Sequence, residues 1–318
     1  MSLAKIVDIG VAQKLGDRPE QQDRYHVIQP GRFQQEHIAF FGVYDGHGGS
    51  LAVNQIEQKM SSVLESHLES DMSSHQYQDA LENALKDQDA ALLATGMSHQ
   101  GSTAAIALLD TARGLIVSAD LGDSHIVLAN KQPDEPLLWN VSRLSVLQNP
   151  SSTMERARIE NAGGEINHTY GTARIGGLAI SRALGDMSLK QPEIGEISHS
   201  LQSMGDLEGE TGVQENSIVT SDLVSNEANT TARHLKGRNV LLLASDGIGE
   251  TSDAKGAARH AAKCWEQGMS AHQIAQGLGR QAMRLPAPDN CTVVLVFIDA
   301  GSGASRRWFT TQILAGIT

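Results

Sequence analysis

The sequence predicts an α+β fold: two antiparallel sheets packed together, with helices outside them. Two observations carry this. Apolar runs of strand length, bounded by turn residues, recur at 25–28, 39–44, 102–110, 115–120, 240–244 and 292–298. Between and after them lie segments whose apolar residues repeat at helical spacing.

Tyr25-His26-Val27-Ile28 is the first run, and Asp23 stands just before it. Phe40-Phe41-Gly42-Val43-Tyr44 follows and stops at Asp45-Gly46-His47-Gly48-Gly49. Next, Ile56, Met60, Val63, Leu64 and Leu68 recur at helix spacing, as do Tyr77, Leu81, Leu85 and Leu92. With strands on either side, these two helices pair and cover one sheet. A third helix starts near Ser152-Thr153, carries Glu155 in its first turn and ends at Gly163-Gly164.

The stretch 191–237 breaks the pattern. It is polar and acidic (Asp206, Glu208, Glu210, Glu215, Asp222, Glu227) and rich in Ser, Asn, Thr and Gly. A loop of that length in a compact domain either steers substrate choice or is a solvated connector. Val240-Leu241-Leu242-Leu243-Ala244 then ends in Ser245-Asp246-Gly247, helices are read at 254–267 and 271–284, and Asp289 precedes the last strand. Beyond Asp299, a Gly/Ser linker leads to Trp308, Phe309, Ile313 and Leu314, which are expected to pack on the body. The expected organisation is one domain over 1–300, interrupted by an insertion at about 191–237, with a tail at 301–318.

The four aspartates carry the chemistry. Asp45 and Asp246 end apolar runs, whereas Asp23 and Asp289 precede them. In antiparallel pairs, strand ends and strand starts share one edge, so that edge gathers all four carboxylates. Two carboxylates about 4 Å apart repel by about 4 kcal/mol at an effective dielectric near 20, so such a cluster calls for cations. Oxygen-only ligands favour hard ions such as Mg²⁺ or Mn²⁺ over zinc. We read a binuclear metal site, although a lone Asp-Gly after a strand is by itself an ordinary turn signal.

Composition narrows the partners. Net charge is −12 with 25 basic residues, and no basic cluster exceeds Arg306-Arg307, which argues against nucleic acid and anionic membrane. No stretch approaches bilayer length and no signal-peptide core opens the chain, so no membrane span is expected. Two widely spaced cysteines fit a reducing cytoplasm, and a secreted effector with a receptor-read address fits the same composition. Cys264 falls in a helical pattern and Cys291 opens a strand, so both read as packing residues. No Cys-x5-Arg loop, P-loop or dinucleotide fingerprint is present.

The longer motifs resemble the type 2C, metal-dependent serine/threonine protein phosphatases. In family order stand Arg18-Pro19-Glu20-Gln21-Gln22-Asp23, Val43-Tyr44-Asp45-Gly46-His47-Gly48-Gly49, Gly101-Ser102-Thr103-Ala104 and Gly122-Asp123-Ser124. They continue with Glu155 to Gly164, then Leu178-Ala179-Ile180-Ser181-Arg182-Ala183-Leu184-Gly185-Asp186, Leu243-Ala244-Ser245-Asp246-Gly247-Ile248 and Asp289-Asn290-Cys291-Thr292-Val293. Eight motifs in order form a specific signal, spanning roughly Gly16 to Ile298.

The resemblance implies a four-layer α-β-β-α sandwich, phosphorylated proteins as substrates and a monomer. It implies that Asp45 bridges two metals, that the Gly46 carbonyl holds one of them, and that Asp246 and Asp289 complete the ligands of the first metal. Asp23 would reach the second metal mainly through water. Arg18 matches the arginine that grips the substrate phosphate, a task suited to its bidentate fork. His47 matches the general acid for the leaving alkoxide. Two metals would activate water and clamp the phosphoryl oxygens.

Departures accompany these matches. Gln22 stands where the family often has Glu, which removes a charge near the second metal. The usual Asp-His-x-Pro reads Leu147-Gln148-Asn149-Pro150, and Asp-Gly-x-Trp-Asp reads Asp246-Gly247-Ile248-Gly249-Glu250. Leu147 cannot ligate, leaving Glu250 as the lone partner for a third, compromised ion. The rival class is a pseudophosphatase, a binding module that keeps the fold without turnover.

Overall fold

The computed structural model describes residues 3–96, 98–131, 138–190, 219–249 and 251–301. Glu250, most of the 191–237 insertion and Trp308, Phe309, Ile313 and Leu314 of the tail lie outside the described residues.

The chain begins with strands β1 (Lys5–Lys14), β2 (Asp23–Ile28) and β3 (Ile38–His47), followed by helices α1 (Leu51–Ser66) and α2 (Ser74–Leu93). Strands β4 (Gly101–Ser102), β5 (Ala104–Asp110), β6 (Leu115–Leu121), β7 (His125–Lys131) and β8 (Trp139–Arg143) come next. Helix α3 (Thr153–Asn161), a small hairpin of β9 (Asn167–Thr169) and β10 (Thr172–Arg174), and β11 (Leu184–Gly185) then precede the insertion. The chain closes with β12 (Asn229–His234), β13 (Gly237–Ala244), helices α4 (Thr251–Glu266) and α5 (Ala271–Ala282), and β14 (Cys291–Ala300). Among the described residues, no helix is long and apolar enough to cross a membrane.

One sheet has the order β1-β14-β13-β7-β8; the other runs β11-β4-β3-β5-β6-β12, with β2 also on β3. The ladders of both sheets are antiparallel. Alternation along the central strands sorts the layers. In β3, Ile38, Phe40 and Tyr44 face α1 and α2, while Ala39, Phe41 and Val43 face the other sheet. In β13, Val240, Leu242 and Ala244 face α4 and α5, while Leu241 and Leu243 face inward. Both faces are buried, so these strands are continuous apolar runs rather than alternating ones. Helices, sheet, sheet and helices make four layers, the architecture the sequence led us to expect. The helix starts also follow local chemistry: Ser73 with Gln76 and Ser270 with Gln273 form capping boxes, and Ser152 caps α3.

Most elements are a few residues longer or shorter than the sequence reading, and three differences change the picture. β3 continues three residues past Tyr44, so Asp45-Gly46 is strand and not a turn. The expected strand 102–110 is divided at Thr103, although Gly46↔Ser102 and Val43↔Ala105 keep one register across the break. Residues 229–234, read as part of the insertion, form β12 on the free edge of β6. Its Asn, Thr and Arg side chains suit a half-exposed edge and hide the strand from a search for apolar runs.

Candidate metal centre

Register brings the acidic residues together. Asp23 opens β2 directly opposite Asp45 on β3. In the other sheet Ala244 pairs with Val293, so Asp246 and Asp289 leave the same end of the β13–β14 pair. Side chains join the two sheet ends. The Ser245 hydroxyl donates to Asp23 Oδ2 (2.8 Å) and its oxygen accepts from the Thr292 N–H (2.9 Å). The Gln22 N–H donates to Asn290 Oδ1 (2.7 Å), and Asn290 Nδ2 donates to the Leu15 carbonyl (2.7 Å).

Gly46 sits where no side chain fits. A Cβ there would lie 2.7 Å from the Gln22 carbonyl oxygen and 2.8 Å from Val53 Cβ. Gly247 is equally confined, 1.9 Å from the Asn290 carbonyl oxygen. These glycines let the Asp45 strand pack against Gln22 and Val53, and the Asp246 turn pack against Asn290.

The electrostatics are those of crowded like charges. Burial pushes the Asp23 carboxyl up to about 6, with Asp246 and Asp289 adding repulsion against the Ser245 hydrogen bond. The Thr292 hydroxyl lies close without completing a hydrogen bond, and Asp23 Oδ1 is buried with no partner. Asp45 is raised well above the usual carboxylate range, first by burial and then by Asp23, Asp246 and Asp123. Its carboxyl lies within hydrogen-bonding reach of Asp246. Asp246 is itself raised, mainly through the desolvation of its carboxyl by its neighbours, although the residue as a whole is exposed.

Arg18 and His47 border this group. Arg18 Nη2 pairs with Asp289 Oδ2 at 2.5 Å, both groups being partly exposed. His47 Nε2 lies 2.7 and 2.9 Å from the two oxygens of Asp186. Asp23, Asp45 and Asp246 thus converge, and Asp289 lies near enough to raise the first and the third. Among the described residues, however, no three His, Cys, Asp or Glu side chains close around one ion-sized point. Asp289 is engaged by Arg18, and Asp23 by Ser245.

Sequence reasoning assigned no role to several residues that the structure places here. Asp123, pushed up to about 7 by burial and then by Asp246, is a fifth carboxylate beside the cluster. Asp186, Ser245 and Asn290 are the others. Each lay inside a motif already picked out, but only the fold shows what its side chain touches. Leu147 is partly exposed, while its neighbour Gln148 is buried, its Oε1 accepting from the Gly122 N–H (2.7 Å) at the turn that presents Asp123.

Both cysteines are buried packing residues, as expected.

Known proteins bear on this arrangement. The family described as Protein phosphatase 2C matches residues 7–291. Probable protein phosphatase 2C 71 of Arabidopsis thaliana is 37% identical over 206 residues, covering 61% of this chain and 42% of that protein. Protein phosphatase 1L of Bos taurus is 28% identical over 298 residues, covering 91% of this chain and 72% of that one. The chain spans less than two thirds of the first plant relatives it matches, 42% and 51% of their lengths. A solved structure of serine-threonine phosphatase 2C from Toxoplasma gondii shares the fold, with a TM-score of 0.67 and 21% identity over 92% of this chain and 94% of that one. The family match contains every one of these aspartates and covers most of the chain, which therefore belongs to the protein phosphatase 2C family.

Proposed function

We propose that this chain is a protein serine/threonine phosphatase that hydrolyses phosphoserine and phosphothreonine with two Mg²⁺ or Mn²⁺ ions. The observation that carries this reading is the convergence of Asp23, Asp45 and Asp246 from two sheets, with Asp23 buried and one of its oxygens orphaned. Like charges this close in a low dielectric need added positive charge, and oxygen donors suit hard divalent ions.

On this reading Asp45, the Gly46 carbonyl, Asp246 and Asp289 hold the ions, with Asp23 alongside. Bound there, the pair would supply an activated water and positive charge for the phosphoryl oxygens. Arg18 grips the phosphate through its fork, exchanging Asp289 for phosphate oxygens. His47 gives a proton to the departing serine or threonine oxygen as the P–O bond breaks. Loss of the aspartate at Leu147 leaves any third ion without its usual ligand. We further propose one catalytic unit over 1–300, with the insertion near 191–237 beside the site.

The test is hydrolysis of a phosphothreonine peptide with Mn²⁺ and with chelator, alongside Asp45→Asn. Activity that needs the cation and is lost in the variant supports the reading. Turnover indifferent to chelation would overturn it.

A further inference from the structure

Three short motifs meet beside the cluster. β11, β4 and β3 are adjacent, and their registers put Gly185, Gly101 and His47 in one row across the sheet. The side chains of His47 and Asp186 meet next to Gly101, whose bare Cα leaves the room. A Cβ on Gly101 would lie 2.2 Å from Asp186 Oδ2 and 2.6 Å from the Leu184 carbonyl oxygen. We propose that Asp186 is the positioning residue for His47, holding its ring with Nε2–H toward the carboxylate, so that the proton given to the leaving group is the one on Nδ1 of the doubly protonated ring. This deepens the phosphatase reading and rests on it.

Asp186 is built in rather than incidental. Its carboxylate is buried, and His47 Nε2 sits 2.7 and 2.9 Å from its two oxygens. An ionised carboxylate only accepts hydrogen bonds, so the ring nitrogen facing it must carry the hydrogen, as in other aspartate–histidine pairs. Its backbone is left-handed (φ 54°, ψ 44°), a conformation that non-glycine residues hold only when their surroundings enforce it. Here they do. The Asp186 N–H donates to the Gln100 carbonyl (3.0 Å), and the preceding Gly185 N–H donates to Asp89 Oδ1 (2.8 Å) on α2. Asp89 is fixed in turn by Lys190 Nζ (2.6 Å) and Asn226 Nδ2 (2.7 Å), and Lys190 also donates to the Ala183 carbonyl (2.9 Å). Both flanks of Asp186 are thereby tied to the body of the molecule.

Asp186→Asn is the test, because Asn tolerates the left-handed backbone and keeps the shape. With Mn²⁺, kcat/KM is compared for phenyl phosphate, whose poor leaving group needs a proton, and p-nitrophenyl phosphate, whose good one does not. The expected result is a loss at least about 10-fold larger for phenyl phosphate, carried by kcat rather than KM. In a His47→Gln background the same change should cost nothing further. Equal losses on both esters, or full additivity with His47→Gln, would assign Asp186 a merely structural role and overturn the proposal. A second measurement stands apart from turnover: ¹⁵N ring shifts of His47, assigned by difference from His47→Gln. In the neutral ring the Nε2–H tautomer should dominate and Asp186→Asn should erode it, whereas a neutral ring protonated on Nδ1 alone overturns the contact. If the wild type hydrolyses neither ester, the phosphatase reading fails and the ring shifts alone decide the pairing.

Discussion

Ser245 does the work of two partners in one buried place. Its hydroxyl donates to Asp23 Oδ2 and its oxygen receives the Thr292 N–H, so one side chain joins a carboxylate of one sheet to the backbone of the other. Ser245→Ala would leave Asp23 with neither oxygen bonded and strand a buried N–H, at a cost of about 1–3 kcal/mol. Urea denaturation in chelator should show that loss as a lower midpoint with an unchanged slope. A midpoint within error of the wild type would mean water replaces the hydroxyl. The sequence could not announce this role: serine before Asp246-Gly247 looks like any turn residue, and its partners are 222 and 47 positions away in the chain.

α2 links packing to the site. One face buries Tyr77, Leu81, Ala84, Leu85 and Leu92 against the larger sheet, and Asp89 on the same helix receives Gly185, Lys190 and Asn226. Asp89→Ala would leave the nearly buried Lys190 ammonium unpaired, which typically costs about 3–5 kcal/mol. Chemical denaturation checks the magnitude. The accompanying loss of turnover should follow that of Asp186→Asn across the two esters, since the same loop is released. The period of α2 was legible because its apolar residues recur every three to four positions, and β3, β5, β6, β13 and β14 were legible because two-sided burial makes them uninterrupted apolar runs. Several elements escaped, among them β7, β8 and the β9–β10 hairpin. β1 was not read at all: its Lys5, Asp8, Gly10 and Gln13 interrupt the apolar run along a half-exposed edge. β12 hid among polar residues. β4 and β11, at two residues each, are too short to carry any period. Position at strand ends grouped four aspartates only with the longer motifs around them, since Asp-Gly after a strand is an ordinary turn signal, whereas the contacts of Asp123 and Asp186 needed the fold, because nothing in the chain states that Gly101 makes room for a carboxylate 85 residues later.

At the scale of the whole molecule, the acidic centre lies where the two sheets meet, so cations bound there would fasten one half of the sandwich to the other. The pH dependence follows from the sign of the shifts. Asp23 is raised to about 6, Asp123 to about 7, and Asp45 and Asp246 are raised too, each chiefly by burial. A carboxyl whose folded value lies above its unfolded value keeps more protons in the folded state, so its contribution is intact at low pH and lost as pH rises through the folded value. For Asp23 alone that loss is on the order of 3 kcal/mol. His125 pulls the other way: burial lowers it to about 4, so its contribution is gained as pH climbs toward its ordinary range. The informative quantity is therefore the difference between cation-loaded and chelated protein, in which His125 cancels. Cations need deprotonated ligands and relieve their repulsion, so the gain from Mn²⁺ should grow between pH 5 and pH 7.5. At 100 times the dissociation constant one bound ion adds about 2.7 kcal/mol, enough to read in urea midpoints at each pH. A Mn²⁺ gain that is flat or shrinks across that range would show that these carboxylates do not release their protons to a metal, and the assignment of Asp23, Asp45 and Asp246 as the cation's ligands would fail with it.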